Sequence, residues 1–258
     1  MYDFDTLSAD LVRGGLEHDD TLLVHSSMKK IGEVKGGADT VLNVLMNYFE
    51  ASGLLVFPSL SYSLVNADSP LFSVIDTPCV VGLLPEMFRR RPRVIRSLHP
   101  THSLAAFGRD AAEFISGHEE FDTPCARRSP FGKLYDRKGK ILFIGTGIGC
   151  NTYLHGVEEW FGVPNMFTVK PEHLIVIDYN GNRIPVDSRR HVGSHSRYYA
   201  QMETNFEKVQ AISFMKFGDA DCCVLDCRKV ADVTGMLLQK NPLLFTEEWN
   251  NVVALAEK

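Results

Sequence analysis

The stretch KILFIGTGIGCNTYLHGVEEWF, residues 140–161, joins a short apolar run to a glycine-rich loop and then to an amphipathic segment. This order predicts a buried strand that ends at the loop, followed by a helix over 152–161. The spacing of a dinucleotide-binding fingerprint is broken, because Cys150 stands where the third glycine is required. Nicotinamide binding is therefore not expected. The glycines instead let the backbone approach a ligand above the strand ends, where α/β proteins bind their ligands.

Strand and helix patterns alternate on both sides of this stretch. Apolar residues at helical spacing predict helices over 6–16, 36–53 and 246–257, and a helix that begins near Leu84. Thr6 or Ser8 is the expected cap of the first helix, and Asp39 or Thr40 that of the second. Short apolar runs predict strands over 21–28 and 54–60, and the second strand is followed by a predicted loop over 61–80. A hairpin through Asn180-Gly181 is expected over 173–191. Two strands and a helix are expected over 211–242. The alternation predicts one α/β domain, residues 1–258, with a mixed sheet.

Composition narrows the class of protein. The 258 residues are 45% hydrophobic and 23% charged, as in an average soluble protein. The formal net charge of −5 argues against a nucleic-acid partner and is compatible with a cationic small-molecule substrate. Six cysteines without a C-x-x-C pair favour buried thiols in a reducing cytoplasm. No apolar run reaches the ~20 residues of a membrane helix, so a cytoplasmic protein without a membrane partner is expected, of undetermined oligomeric state.

His155 and Glu158 lie three positions apart at the start of the predicted helix over 152–161. Asn151 or Thr152 is the expected N-cap. If Thr152 is the cap, His155 falls in the first turn, at the third helical position, where the positive helix end favours a neutral imidazole. Glu158 lies on the same face, and by contacting one ring nitrogen it fixes the tautomer and raises the basicity of the other. The two effects on the histidine pKa oppose each other. The alternative is a surface pair that merely stabilises the helix.

Two further segments crowd polar side chains where strands end. His25, Ser26 and Ser27 follow the first predicted strand and suit a phosphate or a carbonyl oxygen; the alternative is an ordinary turn with solvated lysines. In RSLHPTHS, residues 96–103, hydroxyls and imidazoles surround a proline. His99 and His102 are candidate zinc ligands that need a third ligand, or the hydroxyls satisfy buried backbone groups of a structural turn.

Several stretches follow one another in order over residues 22–161: HSSMKKIGEVKGGADTVLNVL, VFPSLSYS, TPCVVGLLPEMFRRRPRVIRSLHPTHSLAAFG, SPFGKL and NTYLHGVEEW. Taken in this order, they resemble the aminoglycoside 3-N-acetyltransferase family of acetyl-CoA-dependent antibiotic acetyltransferases, and RRH at 189–191 is also similar. The ordered pair R-S-x-H-P-T-H-S and N-T-x-x-H-x-x-E is the most specific part. Membership would imply a three-layer α/β/α sandwich around a mixed central sheet, with acetyl-CoA as co-substrate and an amine as acceptor.

The resemblance also implies roles for individual residues. His155 corresponds to the family's general base and Glu158 to its carboxylate partner. The acetyl-CoA site would comprise residues of the first loop and of the proline turn: His25, Ser26, Ser27, Lys29, Gly32, Val34, Gly36, Arg96, Ser97, His102 and Ser103. Tyr62, Asp68, Glu86 and Glu159 are the candidates for contacting the acceptor, an amine of an aminoglycoside or a related amino sugar. The segment after Ser61 departs from the tryptophan-containing version of the family.

The mechanism expected from these roles is a direct attack of the amine on the thioester, with His155 as base and Ser26, Ser27 or nearby backbone N–H groups facing the oxyanion. No acyl-enzyme is required. The first alternative is a metal-dependent hydrolase that uses His99, His102 and His155. A second alternative, without catalysis, is a domain that senses CoA or a nucleotide.

Overall fold

The computed structural model describes the backbone of residues 1–256 and the side chains of residues 1–251. Its strands are β1 (Thr21–Ser26), β2 (Leu54–Pro58), β3 (Leu71–Ser73), β4 (Ile95–Arg96), β5 (Leu104–Gly108), β6 (Lys140–Ile144), β7 (Glu172–Ile177), β8 (Arg183–Ser188), β9 (Ile212–Phe217) and β10 (Ala220–Asp226). Its α-helices are α1 (Phe4–Arg13), α2 (Gly37–Phe49), α3 (Leu83–Phe88), α4 (Ala111–Ile115), α5 (Pro130–Asp136), α6 (Thr152–Trp160), α7 (Glu203–Lys208), α8 (Cys227–Lys240) and α9 (Glu247–Ala256). Short 3-10 helices cover Met28–Lys30, His118–Glu120, Ile148–Cys150 and His195–Met202.

Seven strands form a central mixed sheet in the order β4-β5-β2-β1-β6-β10-β9. The three central strands β2, β1 and β6 are parallel, and the strands outside them are antiparallel to their neighbours. Parallel central strands are buried on both faces, which explains why they read as continuous apolar runs in the sequence. Because the three run the same way, their carboxyl ends meet at one edge of the sheet.

Alternate residues of each central strand enter opposite cores. Leu23 packs with α4, α5, α6 and α8 on one face, whereas its neighbours Leu22 and Val24 pack with α1, α2 and α3 on the other. The period of two along a strand produces this division. The expected α/β/α sandwich with a mixed sheet is confirmed.

A second, three-stranded sheet has the order β3-β7-β8 and its own small core around Phe72 and Val176. The predicted hairpin through Asn180-Gly181 forms its β7–β8 pair, and Gly181 adopts the left-handed backbone that such a turn requires. Within residues 1–256, no helix is both long and apolar enough to cross a bilayer.

Several boundaries differ from those expected. The cap of α1 is Asp3, with Thr6 completing a capping box three residues later, so the helix begins earlier than residue 6. Gly36 caps α2 through its left-handed backbone, and neither Asp39 nor Thr40 does so. The expected loop over 61–80 contains β3, and the helical segments over 195–208 were missed. The expected end of the last helix at 257 lies outside the described residues.

Candidate active site

A cleft of about 570 Å³ opens at the carboxyl ends of β1, β2 and β6. It lies where open α/β sheets bind their ligands. The residues that line it are His25, Ser26, Pro58, Leu60, Tyr62, Val80, Val81, Pro85, Thr101, His102, Thr146, Gly149, Cys150, Asn151, Thr152, His155, Arg190, His191, Gly193 and Ser196. They come from strand ends, the proline turn, the glycine loop and the segment after β8.

Helix α6 carries His155 into this cleft. Asn151 is its N-cap and accepts a hydrogen bond from the backbone N–H of Tyr153 at 3.2 Å. Thr152 is therefore the first helical residue rather than the cap, and His155 is the fourth. The His155 side chain is 21% exposed and lines the cleft, whereas Glu158, one turn further along, is completely buried. The pair is not the solvated surface pair of the alternative interpretation.

The carboxylate of Glu158 holds three side chains. Its Oε1 lies 2.6 Å from Nδ1 of His195, and its Oε2 accepts a hydrogen bond from the hydroxyl of Tyr199. That hydroxyl lies 2.6 Å from Nδ1 of His155, and the direct distance from His155 Nδ1 to Glu158 Oε2 is 3.4 Å. Glu158 thus contacts His155 mainly through Tyr199.

These contacts fix the tautomer of His155. An ionised carboxylate only accepts hydrogen bonds, so the single hydroxyl proton of Tyr199 goes to Glu158. The remaining lone pairs of that hydroxyl require a donor, and this donor is the N–H at Nδ1 of His155. The neutral imidazole therefore carries its proton on Nδ1. Its Nε2, which makes no hydrogen bond within residues 1–251, keeps a lone pair on a ring that lines the cleft.

The pKa values of both groups fit this arrangement. Burial on its own would raise the pKa of Glu158, but hydrogen bonds and charge interactions with His155 and His195 lower it to about 2. Burial lowers the pKa of His155, and the nearby Glu158 carboxylate opposes that change without cancelling it. At neutral pH the pair is an ionised carboxylate beside a neutral imidazole.

A second glutamate–histidine pair lies next to the first. The His191 ring stacks on that of His155, with centroids 4.5 Å apart and planes inclined by 20°. Nε2 of His191 lies 2.8 Å from Oε1 of Glu159, which also accepts the backbone N–H of Cys125 at 2.8 Å. Burial raises the pKa of Glu159 to about 8 and lowers that of His191 to about 4. The Glu159 side chain is buried, so it is not a solvated surface residue.

Three of the expected acetyl-CoA contacts line the cleft: His25, Ser26 and His102. His25 stacks on Phe143 at 4.9 Å, and burial lowers its pKa to about 4. The hydroxyl of Ser26 is buried without a hydrogen-bond partner among the described residues, which is expected of a group that awaits a ligand. His102 accepts or donates a hydrogen bond at Nδ1 with the hydroxyl of Thr101 at 2.9 Å.

The other expected contacts of the proline turn are internal. Arg96 is fully buried, donates to the carbonyls of Ser59 and Thr77 and to the hydroxyl of Ser103, and lies over the ring of Phe72. Ser97 bonds to Nδ1 of His118 at 2.8 Å. Arg96, Ser97 and Ser103 thus shape the turn that presents His102, and they do not line the cleft. A cofactor role for them stays a prediction.

The remaining expected contacts of the first loop are not among the residues that line the cleft. Ser27 donates its backbone N–H to Ile144, and Lys29 is exposed on the 3-10 helix that follows. Gly32, Val34 and Gly36 belong to the connection into α2: a Cβ at Gly32 would meet the Asp219 carboxylate, Val34 packs in the core, and Gly36 caps the helix. Their part in holding acetyl-CoA also stays a prediction.

Only Tyr62 of the four expected acceptor contacts lines the cleft, where its ring lies 6.0 Å from that of His102. Asp68 is exposed in a turn held by the side chain of Asn66. Glu86 pairs with Arg89 and Arg90 and accepts the backbone N–H of Cys79. Asp68, Glu86 and the buried Glu159 are outside the cleft lining.

The metal alternative is not assembled as expected. Among residues 1–251, the group whose ligand atoms lie within 4.8 Å of one another is Cys125, Glu159 and His191, not the expected set. His99 is completely buried and accepts backbone N–H groups of Thr101 and His102 at Nδ1, which identifies it as a structural residue of the turn. The expected trio of His99, His102 and His155 forms no such group in the described part of the chain.

Sequence reasoning missed His191, His195 and Tyr199, which complete the site from 30 or more residues downstream. The RRH similarity at 189–191 pointed to His191, but no local pattern marks His195 or Tyr199. Cys150 was expected to be buried with the other cysteines, and it is exposed and lines the cleft.

Comparisons with known proteins identify the family of the chain. The family model of aminoglycoside 3-N-acetyltransferase matches residues 23–239. The SPbeta prophage-derived aminoglycoside N(3')-acetyltransferase-like protein YokD of Bacillus subtilis is 26% identical over 247 residues, covering 88% of this chain and 89% of that protein. Aminoglycoside N(3)-acetyltransferase VII of Streptomyces paromomycinus is 30% identical over 195 residues, covering 69% of this chain and 67% of that protein.

A solved structure shares the fold over nearly the whole chain. It is that of a histidine-to-alanine mutant of aminoglycoside acetyltransferase AAC(3)-IVa in complex with apramycin. The match has a TM-score of 0.80 and 24% identity, and it covers 94% of this chain and 94% of that one. The family resemblance expected from the motifs is confirmed: the chain belongs to the aminoglycoside 3-N-acetyltransferase family.

Proposed function

We propose that the chain transfers an acetyl group from acetyl-CoA directly to an amine of an aminoglycoside or a related amino sugar, with His155 as the general base. Membership of the family makes it an acyltransferase with acetyl-CoA as co-substrate. The observation that carries the catalytic role is the neutral His155 ring, which lines the cleft with its proton held on Nδ1 by Tyr199 and Glu158.

The steps follow from that geometry. Nε2 of His155 accepts a proton from the amine as the nitrogen attacks the thioester carbonyl. The imidazolium that forms is stabilised by the ionised Glu158 through the Tyr199 hydroxyl. When the tetrahedral intermediate collapses, the C–S bond breaks, CoA leaves as a thiolate and takes the proton, and the acetamide remains.

The tetrahedral intermediate requires a hydrogen-bond donor for its oxyanion. The hydroxyl of Ser26 lines the cleft and is buried without a partner among the described residues, so it is available for this role. The backbone N–H of Ser27 is already bonded to the Ile144 carbonyl at 2.8 Å, which makes it the weaker candidate.

A free-thiol assay tests the proposal. The purified protein is mixed with acetyl-CoA and a panel of aminoglycosides, amino sugars and simple amines, and the release of CoA thiol is followed. We expect release that requires both an acceptor amine and the protein, with an N-acetylated product of matching mass. Binding of acetyl-CoA without thiol release in the presence of every amine would instead support a sensing domain.

A further inference from the structure

The wall of the cleft on the side of Tyr62 is aliphatic. We refer to Pro58, Leu60, Val80, Val81 and Pro85, which all line the cleft, as the aliphatic wall. The backbone N–H of Val80 donates to the carbonyl of Leu60 at 2.9 Å, so the two parts of the wall are joined. Apolar surface of this kind favours an apolar part of a ligand and gives a cation no partner.

The cleft lining carries no unpaired charge among residues 1–251. Arg190 is its one charged side chain, and burial lowers the pKa of the four lining histidines, His25, His102, His155 and His191, so that they are neutral at pH 7. The Arg190 guanidinium is fixed by Glu172 at 2.6 Å and by the backbone carbonyls of Tyr62 and Val65. Arg190 and Glu172 neutralise each other, and neither offers a free charge to a ligand.

The carboxylates nearest the cleft are also engaged. Glu158 is completely buried and bonded to His195 and Tyr199. Glu159 is 4% exposed and bonded to His191 and to the backbone of Cys125. The expected acidic contacts Asp68 and Glu86 lie outside the lining. The net charge of −5 therefore resides elsewhere on the molecule and not in the cleft.

An aminoglycoside carries several ammonium groups, and each loses hydration when it enters a site. That loss is compensated only where carboxylates or other acceptors pair with the charge. Here the cleft lining presents aliphatic groups, and Arg190 is already paired with Glu172; no free carboxylate lines the cleft among residues 1–251. We propose that this cleft selects an acceptor with a single amine on an otherwise uncharged, partly apolar body, rather than a polycationic aminoglycoside. This inference rests on the proposed function and names its substrate class.

The experiment compares kcat/KM for three acceptors at a fixed, saturating concentration of acetyl-CoA: kanamycin, methyl glucosaminide and hexyl glucosaminide. The two glucosaminides carry one amine each, and they differ only in apolar surface. We expect kcat/KM to be at least tenfold higher for hexyl glucosaminide than for kanamycin, with methyl glucosaminide between them. A higher kcat/KM for kanamycin than for both glucosaminides overturns the inference and leaves the proposed acetyl transfer intact.

A pair of variants tests whether the lack of a free carboxylate in the cleft causes the expected preference among acceptors. Val81→Asp places a carboxylate on the partly exposed edge of the aliphatic wall, and Val81→Asn is its uncharged match. We expect Val81→Asp to lower the KM for kanamycin about two- to fivefold at low salt, an effect lost at high salt, and Val81→Asn, which removes the same apolar surface without adding a charge, to show no such salt-dependent fall in KM. Equal effects of both variants contradict the electrostatic explanation. Absence of thiol release with every amine overturns the proposed function, and the inference falls with it.

Discussion

Two glutamates that are neighbours in the sequence have opposite protonation states in this protein. The pKa of Glu158 is lowered to about 2 and that of Glu159 is raised to about 8, although both are buried. Burial raises both values, but Glu158 has two histidine partners and the Tyr199 hydroxyl, whereas Glu159 has weaker compensation. One helix turn therefore supplies a charged group that orients the base and a neutral group that holds the stacked His191.

His155→Ala removes the proposed base, and we expect kcat to fall by about 10²–10⁴ while the protein folds normally. The side chain is partly exposed at the cleft, so its loss leaves little buried space. The measurement is thiol release at saturating substrates, with the melting temperature as the check on folding. The matched control is His173→Ala, since His173 is 84% exposed on β7 and pairs only with Asp187. Wild-type kcat in purified His155→Ala contradicts the proposed role.

Glu158→Gln should shift the pH dependence of the reaction. The Glu158 carboxylate raises the pKa of His155, so its removal lowers that pKa and makes the imidazole a weaker base. We expect the acidic limb of kcat/KM to move to lower pH and the plateau to fall by about tenfold or more. A kinetic pH profile from pH 5 to 9 measures both changes.

Glu159→Gln is the control for that experiment. Glu159 is protonated at neutral pH, so its amide analogue has nearly the same shape and charge. The acidic limb of this variant should move much less than that of Glu158→Gln. If both variants shift the limb equally, or if Glu158→Gln moves it to higher pH, the assignment of Glu158 as the charged partner of His155 is wrong.

The residue pair H-x-x-E was visible in the sequence, but the hydrogen bonds that join it to Tyr199 and His195 were not. Side chains three apart on a helix lie on one face, which predicted that Glu158 is close to His155. The bridging hydroxyl of Tyr199 is 44 residues from His155, and His195 is 37 residues from Glu158. Such contacts depend on how the chain returns over α6, and no local spacing specifies that path.

At the scale of elements, the loop between β6 and α6 offers a matched pair of glycines. Gly145 has a φ of +61°, and a Cβ there would lie 2.3 Å from Cβ of Lys30. Gly147 has a φ of −88°, and a Cβ there would meet nothing within 4 Å. Gly145→Ala should therefore lower the free energy of unfolding by about 1–3 kcal/mol or more, and Gly147→Ala should not lower it. Chemical denaturation measures both; equal effects contradict this explanation.

Element positions were predictable where the apolar pattern is strong, and helix ends were less so. The buried strands β1, β2 and β6 and the helix α6 follow directly from apolar runs and helical spacing. The caps of α1 and α2 did not, because several polar residues near each helix start are typical caps, whereas the structure has the Asp3 side chain at the start of α1 and the left-handed Gly36 at the start of α2. The strand β3 is three residues long and depends on pairing with β7, over 100 residues away.

At the scale of the whole molecule, the order of the strands was not predicted: the family resemblance implied only a mixed central sheet, and local patterns do not specify which strands are neighbours. The pattern indicated alternating strands and helices, but β10 lies beside β6 and β5 beside β2 in antiparallel pairs that skip intervening elements. This arrangement matters for the site, because it leaves only the three parallel strands to end together at the cleft. The polar loops that looked unrelated in sequence meet for that reason.

The buried histidines give the whole molecule a pH-dependent stability. Burial lowers the pKa of His25, His118 and His191 to about 4, whereas a histidine in the unfolded chain titrates near 6.5. Between these values the unfolded chain binds more protons than the folded protein. As the pH falls from about 6.5 to 4, each of these histidines therefore lowers the free energy of unfolding by up to about 1.4 kcal/mol per pH unit.

Glu159 changes the stability in the opposite sense, because its ionisation destabilises the folded protein as the pH rises. Its folded pKa of about 8 lies above the unfolded value near 4.3, so its contribution is present at low pH and is lost as the pH rises to about 8. Below pH 6.5 the loss of stability due to the histidines on acidification is larger than the gain due to Glu159. Above pH 6.5 the contribution of the histidines no longer changes with pH, and only the loss of stability due to Glu159 remains. We expect the melting temperature, followed by circular dichroism from pH 4.5 to 9, to be highest near pH 6.5. Glu159→Gln should remove the decline above that value and keep the acid side, whereas a wild-type melting temperature that still rises at pH 8 would contradict this account.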